Sequence, residues 1–86
     1  MTIEQILPFK NHINRNRIKF RLNFKKDFEI VIFYDFKDDK ELISQNKWRV
    51  VTNNNRIKYE ETNSLDYTNI LNGEDIISIH PCEPNV

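Results

Sequence analysis

Three groups of residues in this chain are of types that do chemistry. His80-Pro81-Cys82 sets an imidazole and a thiol two residues apart, with Glu83 next. Such side chains serve a metal or a thiolate nucleophile. A zinc site needs further ligands, and His12 is the only other histidine. A reactive thiolate needs a base delivered from elsewhere in the fold, not from two residues away. Asp35, Asp38, Asp39 and Glu41 form the second group. They are candidate general acids and bases or ion ligands, but they lack the oxygen spacing and glycine of a calcium loop. The lysines among them, Lys37 and Lys40, give the run the composition of a solvated loop. The chain's one glycine, Gly73, leaves no glycine-rich cradle for phosphate. These readings predict a protein that is not an enzyme and that carries no metal and no cofactor.

The third group is cationic. Residues 1–26 hold Lys10, Arg15, Arg17, Lys19, Arg21, Lys25 and Lys26 against Glu4 alone, whereas residues 60–86 hold Glu60, Glu61, Asp66, Glu74, Asp75 and Glu83 with no Lys or Arg. The formal net charge is zero. Arg15, Arg17, Lys19, Arg21, Lys25 and Lys26 are candidate phosphate contacts for RNA or single-stranded nucleic acid, with Phe33 or Tyr34 as a stacking platform. The competing reading pairs this face with acids such as Glu29, Glu60 or Glu61, or sets the basic end against the acidic end of the same or a neighbouring copy.

Elements must position these groups, and the alternation of apolar and polar residues supplies them. Ile18, Phe20, Leu22 and Phe24 alternate with Lys19, Arg21 and Asn23. After Lys25-Lys26-Asp27 the pattern resumes as Phe28, Ile30, Ile32, Tyr34 and Phe36. Period 2 predicts a hairpin with strands over 17–24 and 28–36 and one face in a core. Val31 and Phe33 then fall on the opposite face, as a contact surface unless another element covers them. Thr2 and Gln5 have capping-box spacing ahead of Ile3, Ile6 and Leu7, so a short helix is expected over 1–10, stopping or kinking at Pro8. Leu42 and Ile43 have room for one helical turn. Residues 47–52 and 56–62 read as a second hairpin around Asn53-Asn54-Asn55, with Trp48, Val50, Ile57 and Tyr59 facing inward. A last strand is expected from Asp75 to His80, with Pro81 ending it and 81–86 as a tail.

The expectation is mainly β: one domain over 1–86, with a helix and then a strongly bent, five-stranded antiparallel sheet or small barrel over 17–80. No apolar run is long enough to span a bilayer and no signal-peptide core follows Met1. A single cysteine fits a reducing compartment, so a cytoplasmic protein without membrane contact is expected.

Two short motifs carry a resemblance. Ile32-Phe33-Tyr34-Asp35 ends an alternating hairpin in an aspartate, and Leu71-Asn72-Gly73-Glu74-Asp75-Ile76 has a glycine between hydrophobic ends. With the element order, this resembles the Sm-like family of ring-forming RNA-binding proteins. The resemblance implies a helix-capped, SH3-like small barrel over most of residues 2–80. The family's pocket uses an asparagine and an arginine, where this chain has Asp39 near the first position and Asn72 at the second. The implication therefore extends to shape and not to uridine-binding chemistry. The expected function is protein interaction or homo-oligomeric assembly, with itself or another protein as partner and Val31 and Phe33 at the interface. RNA binding through the basic face is the alternative.

Overall fold

The computed structural model describes residues 1–11 and 18–82. Helix α1 spans Ile3–Asn11, β1 Lys19–Asn23, β2 Phe28–Ile32, α2 Asp39–Ser44, β3 Lys47–Thr52, α3 Arg56–Thr62, β4 Asn69–Asn72 and β5 Ser78–Cys82. The strands form one antiparallel sheet in the order β4-β3-β2-β1-β5. The mainly-β expectation stands, with β4 and β5 at the two ends of the sheet.

The capping box at the start of α1 forms as read: Thr2 Oγ1 accepts from the Gln5 N–H and Gln5 Oε1 accepts from the Thr2 N–H. The helix runs through Pro8 instead of stopping there. A proline inside a helix costs about 3 kcal/mol, and contacts on both sides of it offset that cost. Ile6 is fully buried in the core, and the Lys10 ammonium reaches Asp39 Oδ2 at 2.9 Å.

The first hairpin reverses the expected face of β2. Asn23 pairs with Phe28 across a four-residue connection, so the partner numbers sum to an odd value and even positions of β1 share a face with odd positions of β2. Phe20 therefore sits beside Val31. Val31 and Phe33 are core residues, Phe33 only 3% exposed, so they are not available as an interface. Phe28 is instead 49% exposed, on the face that carries Lys19 and Arg21. Ile32, paired with Val51, is buried on that second face. The main core joins Ile6, Phe20, Leu22, Val31, Phe33, Trp48, Val50, Ile76 and Ile79. Phe20, Phe33 and Trp48 meet there ring to ring at 5.8 and 6.4 Å.

The second hairpin is also corrected. Asn53–Asn55 is a single 3-10 turn, and 56–62 is α3, not a strand. Arg56 and Glu60 pair at i,i+4, the Thr62 hydroxyl donates to the Lys58 carbonyl, and Asn63 ends the helix at φ 54. Ile57 consequently lies 70% exposed, and Tyr59 packs on Tyr34 and Phe36 at 5.0 and 5.8 Å. The partner of β3 is β4, with Trp48 opposite Leu71. The last strand begins at Ser78, after a 3-10 turn at Gly73–Asp75, and includes Pro81.

Asn46 joins these pieces. Its backbone lies in the left-handed region at φ 58. Its amide donates to the Met1 carbonyl at 2.9 Å and accepts from Trp48 Nε1 at 3.0 Å, and its carbonyl accepts from the Gly73 N–H at 2.8 Å. A Cβ on Gly73 would stand 2.6 Å from Asn46 Cγ, so space, not torsion, requires glycine there.

Two outcomes follow. Gly73→Ala should lose about 1–3 kcal/mol in denaturant unfolding through overpacking. Combined with Asn46→Gly it should add little to the cost of Asn46→Gly alone, because the colliding amide is gone. Additive losses would place the Gly73 constraint elsewhere. Phe33→Ala should cost about 3–5 kcal/mol as a core truncation, and near-neutral behaviour would contradict its buried position.

Candidate binding surfaces

Most of the acidic group is engaged in ion pairs and hydrogen bonds. Lys10 Nζ lies 2.9 Å from Asp39 Oδ2 and 3.1 Å from Asp35 Oδ1. Asp39 Oδ2 also accepts from the Phe36 N–H at 2.9 Å, so the buried carboxylate closes the loop into α2. Arg49 holds Asp38 with both ends of its fork, at 2.8 and 3.3 Å, and donates to Thr68 Oγ1 at 2.6 Å. This ties the loop before α2 to β3 and to the approach to β4. Three of the four acids are thereby engaged, and Glu41 stays exposed.

The cations separate into different settings. Arg15 and Arg17 lie outside the described residues. Lys19 and Arg21 share one face of β1, beside His80 and Cys82 of β5. Lys25 and Lys26 occupy the hairpin turn. They line an open groove of about 750 Å³ with Asp27, Glu74 and Asp75 among its other walls, so that groove is of mixed charge. The continuous row read from the sequence is thus a strand pair and a turn pair.

Among the described residues, no carboxylate forms an ion pair with Lys19, Arg21, Lys25 or Lys26. Arg21 is held by neutral neighbours: its Nε donates to Asn23 Oδ1 at 3.0 Å and its guanidinium lies 4.0 Å from the centre of the Phe28 ring. Of the expected stacking groups, Phe33 is in the core, and Tyr34 donates its hydroxyl to Glu60 Oε1. Phe28 is the exposed ring beside the cations, a role the alternation concealed because it placed Phe28 inside.

The apolar surface lies elsewhere than expected. Ile70 on β4 is 48% exposed and Ile77, just before β5, is 62% exposed. Both adjoin strands at the ends of the sheet, which no periodicity can identify, because pairing order is not a local property. No three His, Cys, Asp or Glu side chains among the described residues are grouped to hold a metal ion, and no helix among them is long and apolar enough to cross a membrane. Compared with protein-family models, with curated proteins and with solved structures, the chain matches none.

The two ion locks have opposite pH signatures. Hydrogen bonds from Arg49 hold the Asp38 carboxyl below its ordinary value, against a smaller opposing effect of burial and with help from the Arg49 charge. A depressed carboxyl contributes stability above its unfolded value, ~3.9, and loses it as pH falls through the folded one. For Lys10, burial is the largest single influence and pulls downward, but the hydrogen bonds and charges of Asp39 and Asp35 together outweigh it and leave its pKa raised. That contribution is complete below the unfolded value, ~10.4, and is lost as pH rises through the folded one. In denaturant titrations, Asp38→Asn should flatten the stability loss below about pH 4. Lys10→Met should flatten the loss above about pH 10 and lower stability at neutral pH by roughly 2–3 kcal/mol, because Asp39 keeps a buried charge. Unchanged pH limbs in either variant would remove that lock from the account.

Proposed function

We propose that this protein is a non-enzymatic binding module that assembles through the ends of its sheet, first with further copies of itself. The observation that carries this reading is the open order β4-β3-β2-β1-β5, in which two strands each have one pairing neighbour among the described residues. Strand ends of a sheet present backbone donors and acceptors that a further strand can pair with. Exposed Ile70 on β4 and Ile77 beside β5 supply apolar area next to both edges. Pro81 removes one donor from β5, which favours a short, register-specific pairing over an extended one.

An edge of β4 meeting an edge of β5 on the next copy is a head-to-tail contact. Such contacts close into rings or continue as stacks. The Sm-like resemblance, for its part, suggests closure into a ring.

A second reading, nucleic-acid binding, is favoured by one observation: among the described residues, Lys19 and Arg21 have no acid partner and lie beside an exposed ring, Phe28. Light scattering after size exclusion separates the two. The expected result is a mass several times that of one chain at low and moderate salt, without RNA. Ile70→Lys, at an exposed position, should reduce it to a single chain while leaving the unfolding midpoint nearly unchanged. A monodisperse single chain that shifts only when a mixed-sequence RNA is added at low salt would overturn assembly in favour of the cationic face.

A further inference from the structure

The register between β1 and β5 sorts side chains by chemistry. Lys19 lies opposite Cys82, Arg21 opposite His80 and Asn23 opposite Ser78, while Phe20 and Leu22 lie opposite Pro81 and Ile79. Directly opposed residues share a face. One face of this strand pair is therefore apolar and core-facing, and the other is a run of donors at the rim of the sheet. The run is also wired together. Arg21 Nε donates to Asn23 Oδ1 at 3.0 Å, Asn23 Nδ2 donates to Ser78 Oγ at 3.0 Å, and Ser78 Oγ lies 3.1 Å from His80 Nε2.

We propose that this seam is a site for a phosphoryl oxyanion, held by the Arg21 fork, the Ser78–His80 pair and Lys19. The guanidinium is oriented by Asn23 and by the Phe28 face, so neither contact neutralises its charge and its two terminal amino groups stay available. A planar fork fixed in advance, with no carboxylate partner among the described residues, is suited to bidentate contact with two oxygens of a phosphoryl group. Ser78 already accepts from Asn23, which leaves its hydroxyl hydrogen to turn toward His80 or toward a bound oxygen. Lys19 adds an ammonium one pleat along the same face. The register also explains why no acid intrudes from the other neighbour of β1: Glu29 pairs opposite Leu22 and so lies on the other side of β2, whereas Phe28 and Ile30 face the seam.

This site does not depend on assembly. It rests on the cationic face of the nucleic-acid reading and names the chemistry there, which a free phosphate or a phosphodiester backbone would share. The test is NMR of the intact, isotope-labelled chain, titrated with sodium phosphate at constant ionic strength and, separately, with a short single-stranded RNA. Saturable shifts at Arg21 Nε–H, Asn23, Ser78 and His80 are expected with phosphate. Arg21→Gln should weaken the effect by about tenfold or more, as expected for loss of a charge-assisted contact. His80→Gln should weaken it several-fold, and Lys37→Gln, in an exposed loop, should not change it. Unaltered spectra elsewhere in the variants would show that the fold is intact. Linear shifts spread over all cations, or a response in Arg21→Gln equal to that of the parent chain, would overturn the site. Binding of RNA that survives Arg21→Gln and His80→Gln would overturn it while sparing the nucleic-acid reading. Phosphate binding at the seam with no response to RNA would support the site and discard that reading.

Discussion

The side chain and backbone of Asn46 hold together parts of the molecule that share little else. Hydrogen bonds from this residue reach the segment before α1, the indole of Trp48 and the turn between β4 and β5. The end of α2 reaches it as well, through the Asn46 N–H and the Ile43 carbonyl. Each of those bonds is worth about 1 kcal/mol net, but the groups they satisfy are partly buried, and leaving one unmade costs more than making it gains. The left-handed backbone is what aims the amide inward while the chain turns from α2 into β3. Asparagine is the non-glycine residue that tolerates this torsion best and has both a donor and an acceptor to offer. Gly73 is the complementary requirement: it lets the turn approach closely enough for its N–H to reach the Asn46 carbonyl. A chain of this size buries only about 60–65% of its unfolded surface. One residue that satisfies four elements therefore matters more here than it would in a larger domain.

What the sequence made legible depended on whether the signal was local. The capping box at Thr2 and Gln5 needs only three residues' spacing, and it formed as read. The strands β1 and β2 were visible because period 2 is a property of the strand itself. Their relative phase was not, because it depends on the number of residues in the turn between them. With four residues from Phe24 to Asp27, even positions meet odd ones, and the assignment of Val31 and Phe33 inverts. The residues in question were apolar on both faces of β2, so hydrophobicity could not arbitrate. At 56–62 the alternation of Ile57 and Tyr59 covered too few residues to exclude a helix, and an i,i+4 Arg–Glu pair followed by an asparagine at the C-cap pointed to one. Binding surfaces were the least legible. They follow from the pairing of β1 with β5, strands separated by most of the chain, which no local pattern encodes.

The charged groups illustrate the same dependence on tertiary structure. By composition the acids of the 35–41 loop and the cations of β1 look equally solvated. In the fold they part company. Asp38 and Asp39 are each satisfied by a cation from a distant element, so their charge stabilises the attachment of α1, α2 and β3 to one another. Lys19 and Arg21 have no such counterpart among the described residues, and Arg21 is positioned by neutral groups instead. A net charge of zero thus conceals an uneven division, in which much of the acid loop's charge is consumed internally and a cationic remainder faces solvent at the β5 end of the sheet. Long-range attraction for anions follows from that remainder and not from the total.

The position of the remainder constrains what the protein can do at once. Among the described residues β5 is an end strand of the sheet, and through Ser78 and His80 it would also supply half of the proposed donor seam. The two uses draw on different directions, because edge pairing uses backbone groups in the plane of the sheet and the seam uses side chains above it. A strand added beside β5 would therefore extend the donor face instead of covering it, provided that its own outward side chains are not acidic. β4 carries Asn69 and Asn72 with the apolar Ile70 and Leu71 and no carboxylate. Pairing of β4 with β5 would leave the seam open and place neutral side chains at its border. The proposed assembly and the proposed anion site would in that sense be compatible, and the absence of acids from β4 is the feature that would make them so.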